Sequence, residues 1–404
     1  MRGFEIGPKA IALIGGVANS VVAGLVFPYV TVYLTRQAGY SITQAGSVVG
    51  LATAANVILR MLAGGVIDRL DVRKAAWTGL LLAAALPLLL AFDPAWFAVV
   101  AGLMAYTLGG IFFDSAITLL IYVDGATDVD KKINYSYYYA AHNAFLAIAP
   151  AVTFLVAPSD YRELFVAALV MQSVLVVGTA WFAFSRGSQE IKRPPRPRGL
   201  RSYATLLDAG FVITFALSAC YSLVYRQYFT NIANLLGHAK LLGRDVYPLV
   251  VAINGSFVIF LQPIYARLLK GGRRIDFLVA GPACLLAGLS LLALPLPVVA
   301  TVIPFALMFT LAEVLLNLNM VDNLMTFAPT DSRATWLNCF ALSRMSSTVG
   351  IPLGAVLLDR VGKPAFIASL MSVAVVMCLL GVANATLKRL RLASLPSLEP
   401  RPAP

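Results

Sequence analysis

Residues 64–74, GGVIDRLDVRK, place three basic and two acidic side chains between two long apolar stretches. The stretch before them, 43–66, and the stretch after them, 75–93, each approach or exceed the roughly 20 residues that a helix needs to cross the hydrocarbon core of a bilayer. A short charged segment between two such stretches is typical of a turn at a membrane surface. The segment therefore predicts a helical hairpin that crosses a membrane twice.

The composition of the whole chain indicates the same environment. Of its 404 residues, 59% are hydrophobic and 12% are charged, and the mean hydropathy is +0.82. Soluble proteins carry about 25% charged residues, so this chain has too few of them to cover a water-exposed surface. A water-soluble enzyme is therefore excluded, and most of the surface is predicted to face lipid.

Apolar stretches of similar length recur along the chain, and twelve of them meet the length criterion for a transmembrane helix. A Pro- and Arg-rich segment, 186–202, separates the sixth stretch from the seventh and cannot span a membrane. The predicted spans are 9–34, 43–66, 75–93, 95–123, 135–157, 162–184, 207–236, 246–268, 276–296, 298–324, 335–358 and 364–387.

The twelve spans divide into two halves that resemble each other. An offset of 198 residues aligns Asn56 with Asn254 and Asp124 with Asp322, and such internal repeats are common in membrane carriers. We therefore predict a duplicated chain with a polar cavity between its halves. Its parts are a six-helix bundle over 1–185, a basic linker over 186–206, a second six-helix bundle over 207–387 and a tail over 388–404.

Lys and Arg residues fall mainly on one side of the predicted spans. They concentrate before the first span, in alternate loops, in the linker and in the tail. Because cytoplasmic loops carry the excess of basic residues, both termini are predicted to be cytoplasmic, in a multi-pass protein of the cell membrane. The same distribution accounts for the net charge of +12 without a nucleic-acid partner.

The charged turn GGVIDRLDVRK resembles the signature loop of the major facilitator superfamily. The resemblance lies in Gly64, Asp68, Arg69 and the basic end at Arg73, while Asp71 stands where the family has glycine. Aspartate tolerates the left-handed turn conformation, so we regard the motif as only slightly degraded at this position. With the twelve spans and the duplication, the resemblance covers nearly the whole chain and implies an all-α membrane fold of two pseudo-symmetric six-helix bundles.

Two further segments resemble the drug:proton antiporter-like branch of that superfamily. They are GLVFPYVTVYLTRQAGYS (24–41), with Thr31 in place of a second proline, and YYYAAHNAFLAIAP (137–150), with Phe145 and Ala149 in place of glycines. The arginine that many proton-coupled members carry in the fourth helix is absent from this sequence. The resemblance implies that Asp68, Arg69 and Arg73, together with Asp124, form a cytoplasmic gate. The alternative is that they are solvated turn residues that fix topology.

Ionisable residues inside the spans are the first candidates for function, because a charge in hydrocarbon is costly and usually faces a cavity or a partner. We predict Glu313 as the main protonation site, Asp114 as the second and His142 as a further candidate. The alternatives are permanent ion pairs, Glu313 with Arg344 and Asp114 with Arg60, and a hydrogen-bonded packing role for His142.

Other polar residues in the spans are candidates for contact with a solute. Arg226 is expected either to bind an anionic group or to extend to the outer headgroups. Helix-to-helix hydrogen bonds explain the amides equally well, and Tyr135 and Tyr137–Tyr139 are interpreted mainly as an interfacial aromatic belt. The substrate-cavity candidates are Asn19, Asn143, Tyr221, Tyr225, Arg226, Asn317 and Arg344.

These features predict a secondary transporter that moves a small solute by alternating access. Proton-coupled efflux of amphipathic compounds is the first interpretation, and proton-coupled uptake of a small organic anion is the alternative. From another class, a membrane sensor or channel remains open. The four cysteines lie inside apolar stretches without a CxxC spacing, and no catalytic motif is found, so we predict no metal, cofactor or enzymatic activity. The expected partners are a small-molecule substrate, protons and membrane lipids, with the chain as a monomer.

Overall fold

The structure is a computed structural model that describes residues 8–67, 70–92, 94–123, 128–156, 159–184, 205–237, 239–270, 276–329, 336 and 339–394. The described residues are almost entirely helical. In the first half, α1 and α2 flank a 3-10 turn at Phe27–Tyr29. The helices are α1 (Pro8–Leu25), α2 (Val30–Arg36), α3 (Ile42–Ile67), α4 (Val72–Ala83), α5 (Ala85–Leu90), α6 (Trp96–Val123), α7 (Asp128–Val156) and α8 (Tyr161–Phe184).

The second half repeats this arrangement with one added hairpin. Strands β1 (Lys240–Leu241) and β2 (Arg244–Asp245) pair antiparallel, and their turn at Leu242 and Gly243 has positive φ at both positions, as a tight hairpin turn requires. The helices are α9 (Ala209–Tyr228), α10 (Asn231–Gly237), α11 (Val246–Lys270), α12 (Phe277–Ala293), α13 (Val298–Phe327), α14 (Ser346–Val356) and α15 (Lys363–Ser394).

The twelve predicted spans are confirmed among the described residues. Nine helical segments are long and apolar enough to cross a membrane, and the shorter apolar helices Ile42–Ala55, Val246–Leu261 and Phe277–Ala293 occupy the remaining predicted positions. The first span is broken between α1 and α2, where Pro28 supplies no backbone N–H for a continuous helix. The last helix continues to Ser394, past the predicted start of the tail at 388.

Two faces of the bundle are defined by the course of the chain. The terminal face is the one at which α1 begins and α15 ends, and the far face is the opposite one. The loop between α2 and α3 and the β1–β2 hairpin lie on the far face, because each follows an odd-numbered span that starts at the terminal face. The charged turn after α3 lies on the terminal face.

Asp71 is the N-cap residue of α4. Its backbone is extended, with φ −59° and ψ 136°, and its side chain caps α4 by accepting hydrogen bonds from the amides of Arg73 at 2.9 Å and Lys74 at 3.3 Å. Asp71 therefore does not use the left-handed conformation that aspartate tolerates. An N-cap aspartate satisfies amides that the first turn of a helix leaves unpaired, which explains an acidic residue at the start of this span.

Close helix packing in the first half depends on glycines that face each other. Gly79 of α4 and Gly109 of α6 bring the two backbones into direct contact. Between the halves, α3 packs against α14 and α7 packs against α11, with Gly255 of α11 against the backbone of Ala147. Small residues at such positions are the usual means by which membrane helices approach closely.

Gly79→Ala is expected to lower the melting temperature of the purified protein. A Cβ at this position would lie 2.7 Å from the Gly109 carbonyl oxygen and 2.7 Å from the Phe113 amide nitrogen, and overpacking of this kind costs about 1–3 kcal/mol. Gly178 of α8 has no atom within 4 Å of the corresponding position. Gly178→Ala is the matched control and is expected to leave the melting temperature unchanged or slightly raised, since alanine favours a helix by about 0.5–1 kcal/mol over glycine. Equal melting temperatures for the two variants would contradict the packing.

Candidate functional site

The two halves are joined by hydrogen bonds on the far face. Thr35 Oγ1 of α2 donates to Asn234 Oδ1 of α10 at 3.1 Å, and Thr43 Oγ1 of α3 donates to Asp359 Oδ2 at 2.6 Å. Arg244 donates to the carbonyl oxygen of Phe154 at 3.1 Å. The inter-half hydrogen bonds between described side chains all lie toward this face, so the far face is closed.

Asp245 is the centre of an ion-pair cluster on the closed face. Its carboxylate accepts from Arg36 Nη1 at 2.8 Å and from the Tyr161 hydroxyl at 2.9 Å, both of the first half, and pairs with Lys240 on its own hairpin. Partial burial alone would raise the pKa of Asp245, but the hydrogen bonds from Lys240 and Tyr161 and the charge of Arg36 together hold it below its ordinary value. A carboxyl whose pKa is lowered in the folded state loses its contribution only as the pH falls through that lowered value. The cluster therefore stays charged between pH 5 and 8.

The space between the halves opens toward the terminal face. Asp114 of α6, Asn317 of α13 and Arg344 near the start of the eleventh span are exposed. Asp114 nevertheless bonds to side chains of α1 and α7, and Arg344 lies within electrostatic range of Arg226 on α9. Asp114 and Arg344 thus have exposed side chains and neighbours inside the bundle, and from this we infer a cavity between the halves.

Glu313 lies in this cavity with both carboxylate oxygens engaged. Oε1 accepts from the Tyr225 hydroxyl at 3.0 Å, and Oε2 accepts from Asn254 Nδ2 at 2.8 Å. Asn254 also donates to Thr310 Oγ1 at 3.0 Å, which fixes the amide. No ion pair joins Glu313 to Arg344 in the part of the chain that the structure describes, so the alternative of a permanent pair between them was wrong.

Arg226 points into the bundle rather than toward the headgroups. Its guanidinium lies within electrostatic range of Tyr225, Arg344, Tyr106 and Tyr221, which places it between α9, α6 and the eleventh span. The alternative that it extends to the outer surface was wrong. Among the described side chains neither Arg226 nor Arg344 forms an ion pair, so two positive charges face the cavity without a carboxylate partner.

Asp114 forms the corresponding acidic centre of the first half. Its Oδ1 accepts from Asn19 Nδ2 at 2.8 Å and from the Tyr138 hydroxyl at 2.6 Å, and Asn19 Nδ2 also lies 2.8 Å from the Tyr138 hydroxyl. The His142 ring is roughly parallel to that of Tyr138, with centroids 6.4 Å apart. The side chain of Arg60, the alternative partner of Asp114, lies outside the described residues.

Aromatic rings cover the cavity on its far side. Phe27 lies 5.9 Å from Tyr106 and 6.2 Å from Phe229, measured between ring centroids, and Phe229 lies 5.6 Å from Tyr225. We call these four residues the aromatic roof. Because Phe27 and Tyr106 belong to the first half and the other two to the second, the roof crosses the boundary between the halves.

The remaining predicted site residues are placed as follows. Asn143 is buried, and its amide donates to the carbonyl oxygen of Tyr139 in its own helix at 2.8 Å. Asn317 and Glu313 lie within electrostatic range of the Tyr221 hydroxyl. Of the residues predicted to form a gate, Gly64 lies near the end of α3 and Arg73 is buried at the start of α4. Asp68, Arg69 and Asp124 lie outside the described residues.

Two residues of the site were missed from the sequence. Tyr138 was assigned to an interfacial belt because its span was predicted to begin at 135. The helix begins at Asp128, so Tyr138 lies ten residues into it, about 15 Å along the axis, and it reaches Asp114. Tyr106 carried no signal beyond its position on the same helix as Asp114, because an isolated tyrosine in an apolar stretch is also typical of packing.

Comparisons with known proteins agree on one family and one fold. The sequence pattern of the Major Facilitator Superfamily matches residues 12–345. The chain is 25% identical over 278 residues to the uncharacterized MFS-type transporter YttB of Bacillus subtilis (strain 168), an alignment that spans 65% of this chain and 66% of that relative.

Solved transporter structures share the fold at low sequence identity. A mutant form of the peptide transporter POT superposes with a TM-score of 0.78 at 15% identity, covering 94% of each chain. A POT family transporter in complex with 5-aminolevulinic acid gives 0.74 at 16% identity, covering 93% of this chain and 95% of that one. The nucleoside transporter NupG gives 0.74 at 14% identity, covering 95% and 100%. At these identities the similarity shows the fold alone.

Proposed function

The chain belongs to the Major Facilitator Superfamily and is a membrane transporter of that type, and from this premise we propose that it carries a small organic anion together with protons. The observation that carries the proposal is the pair Arg226 and Arg344, whose like charges face the cavity without an ion-pair partner among the described residues. Two neighbouring positive charges in a partly dry site repel each other. An anionic solute between them removes that repulsion and forms charge-assisted hydrogen bonds with both guanidinium groups.

Glu313 supplies the proton site in this proposal. No described basic side chain forms an ion pair with it, and Tyr225 and Asn254 hold it in place. A carboxyl in such a site exchanges its proton with the cavity more readily than one that is locked in an ion pair. Binding an anion and a proton together keeps the transported load nearly neutral, which lowers the cost of moving it past hydrocarbon.

Movement of the two halves gives the solute access to each side in turn. The described conformation is closed on the far face and open on the terminal face, and with cytoplasmic termini in a cell membrane it is inward-facing. In the proposed outward-facing state the bonds of the far face break, and Asp68, Arg69, Arg73 and Asp124 close the terminal face. The bundles over 1–185 and 207–387 then rotate about the cavity, with 186–206 as the linker between them.

A second candidate function rests on the aromatic roof. Four rings in one wall of the cavity favour a solute with an apolar or aromatic part, which supports the efflux of amphipathic compounds. The arginine pair favours an anionic solute over a lipophilic cation. The proton-coupled uptake of an organic anion therefore ranks ahead of the efflux of amphipathic compounds. The solved transporters with this fold include a peptide transporter, a nucleoside transporter and one in complex with 5-aminolevulinic acid, and these solutes are polar.

A ligand screen by thermal shift tests the proposal. Small carboxylates are expected to raise the melting temperature of the purified protein, because a ligand of the folded state stabilises it, whereas lipophilic cations are not. Arg226→Gln and Arg344→Gln are each expected to weaken carboxylate binding about 30-fold or more, as the loss of one partner of a desolvated charge pair does.

Arg389→Gln is the matched control, since Arg389 is exposed on α15 near the terminal face and away from the cavity. It is expected to bind carboxylates as the unmodified protein does. Stabilisation by lipophilic cations alone, or carboxylate binding that is unchanged in both cavity variants, would overturn the anion proposal and favour efflux of amphipathic compounds.

A further inference from the structure

The cavity carries opposite charges on its two halves. The second half contributes Arg226 and Arg344, and the first half contributes Asp114. Tyr106 lies within electrostatic range of both Arg226 and Asp114, so the positive and the negative centre lie near the same side chain. A solute bound between the halves beside Tyr106 can therefore approach both centres.

The Asp114 carboxylate can accept a hydrogen bond from a further donor. Its Oδ1 is held by Asn19 at 2.8 Å and by Tyr138 at 2.6 Å, while its side chain remains exposed to the cavity. Oδ2 accepts no hydrogen bond from a described residue, and no described side chain forms an ion pair with this carboxylate. An oriented carboxylate with one open oxygen is a binding site for a cation that carries several N–H donors.

The two charged centres are separated along the membrane normal. Tyr106 belongs to the aromatic roof, and Asp114 follows it by eight residues on the same face of α6, which is about 12 Å along the helix axis. Arg226 lies near the roof, beside Tyr225, and the length of its side chain shortens the gap. A solute that contacts both centres therefore needs its two charges several bonds apart rather than on groups that share a single carbon atom.

We propose that the substrate is dipolar, with its anionic group on Arg226 and Arg344 and a protonated amine on Asp114. This inference rests on the proposed function, because it adds a second contact to the same anion site. It assigns Asp114 to recognition of the solute, leaving Glu313 as the proton site. The preferred class is therefore extended amino acids and comparably sized compounds with a free amine at one end and a carboxylate at the other.

A series of matched probes tests the two contacts separately. Glycine, 4-aminobutyrate and 6-aminohexanoate differ in the separation of the two charges, and hexanoate lacks the amine. For the unmodified protein, thermal shift is expected to rank 6-aminohexanoate at least tenfold tighter than hexanoate, with glycine the weakest of the amino acids. Asp114→Asn is expected to bring the ratio of 6-aminohexanoate to hexanoate affinity close to one, while hexanoate binding changes less than twofold.

Two further variants separate direct contact from a structural role. Asp114→Glu moves the carboxylate one methylene group into the cavity. The probe that binds most tightly is therefore expected to change from 6-aminohexanoate to 5-aminopentanoate, which is shorter by one methylene group. Glu163→Gln, on the exposed first turn of α8 at the far face, is the control and is expected to keep the original preference. Binding of hexanoate by each variant reports that the cavity has folded.

The outcomes distinguish this inference from the proposed function. If hexanoate binds in an Arg226-dependent way but Asp114→Asn and Asp114→Glu leave the preference for the amine unchanged, the dipolar substrate is wrong and the anion transporter stands. If no carboxylate binds in an Arg226-dependent way, the proposed function fails first. If the unmodified protein binds hexanoate as tightly as 6-aminohexanoate, Asp114 does not recognise an amine.

Discussion

Cysteines at positions 35 and 234, once oxidised to a disulfide, are expected to abolish transport. Thr35 and Asn234 lie on opposite halves, with Thr35 Oγ1 3.1 Å from Asn234 Oδ1. Alternating access requires these groups to separate when the far face opens. A covalent bond between them keeps the far face closed, so the solute can enter and leave only through the terminal face.

The measurement is uptake of a labelled solute into proteoliposomes before oxidation, after oxidation and after reduction. Transport is expected to stop on oxidation and to return with a thiol reductant. The background protein has Cys220, Cys284, Cys339 and Cys378 replaced, because these four are partly buried free thiols. Each single cysteine variant is expected to be insensitive to oxidation.

A disulfide within one half provides the matched control. Gln37 Nε2 donates to the Ser159 carbonyl oxygen at 3.2 Å, on the same face but between two parts of the first half. Cysteines at 37 and 159 are expected to leave transport intact after oxidation. Full transport by the oxidised 35–234 pair would contradict the closed far face and the movement of the halves about the cavity.

Glu313→Gln is expected to remove the drive that a pH gradient gives to accumulation while leaving exchange of solute intact. In the proposal Glu313 carries the proton, and glutamine has a similar shape but cannot ionise. With one proton per anion, a gradient of one pH unit supplies about 1.4 kcal/mol, which sustains about tenfold accumulation. The variant is expected to equilibrate the solute without accumulating it.

Two assays in proteoliposomes separate these effects. Accumulation under an imposed pH gradient is expected to be lost in Glu313→Gln, and counterflow of labelled against unlabelled solute is expected to persist. The far-face cluster does not explain any dependence between pH 5 and 8, because the pKa of Asp245 is held below its ordinary value and the cluster loses its charge only under stronger acid. Concentrative uptake by the Glu313→Gln protein would remove Glu313 from the proton pathway.

The composition and the spacing of apolar stretches were enough to predict the fold. Twelve spans follow from length and hydropathy because the bilayer imposes one length on every helix. Helix ends were predicted less well, and the start of α7 affected the assignment of a site residue. With α7 beginning at Asp128 rather than 135, Tyr138 moved from the membrane surface to a bond with Asp114.

The chemistry of individual residues could be nominated from the sequence, but their partners could not. Glu313, Asp114, Arg226 and Arg344 stood out because ionisable groups are costly in hydrocarbon, and that cost is a local property of the chain. Whether Glu313 pairs with Arg344 or with Tyr225 and Asn254 depends on which helix faces which, and side chains 59 and 88 residues apart from it in the chain decide the answer.

The sequence by itself determined the membrane environment, the twelve helices, the duplication and the set of ionisable residues, because each of these depends on local hydrophobicity and charge. Only the tertiary structure decided that Asp71 caps a helix, that Arg226 and Arg344 lie within electrostatic range of each other without a carboxylate partner among the described residues, and that the far face is closed. The physical reason is that contacts between distant segments determine which helices pack against each other in lipid. The strength of these contacts depends on the rotation and depth of each helix rather than on any pattern along the chain.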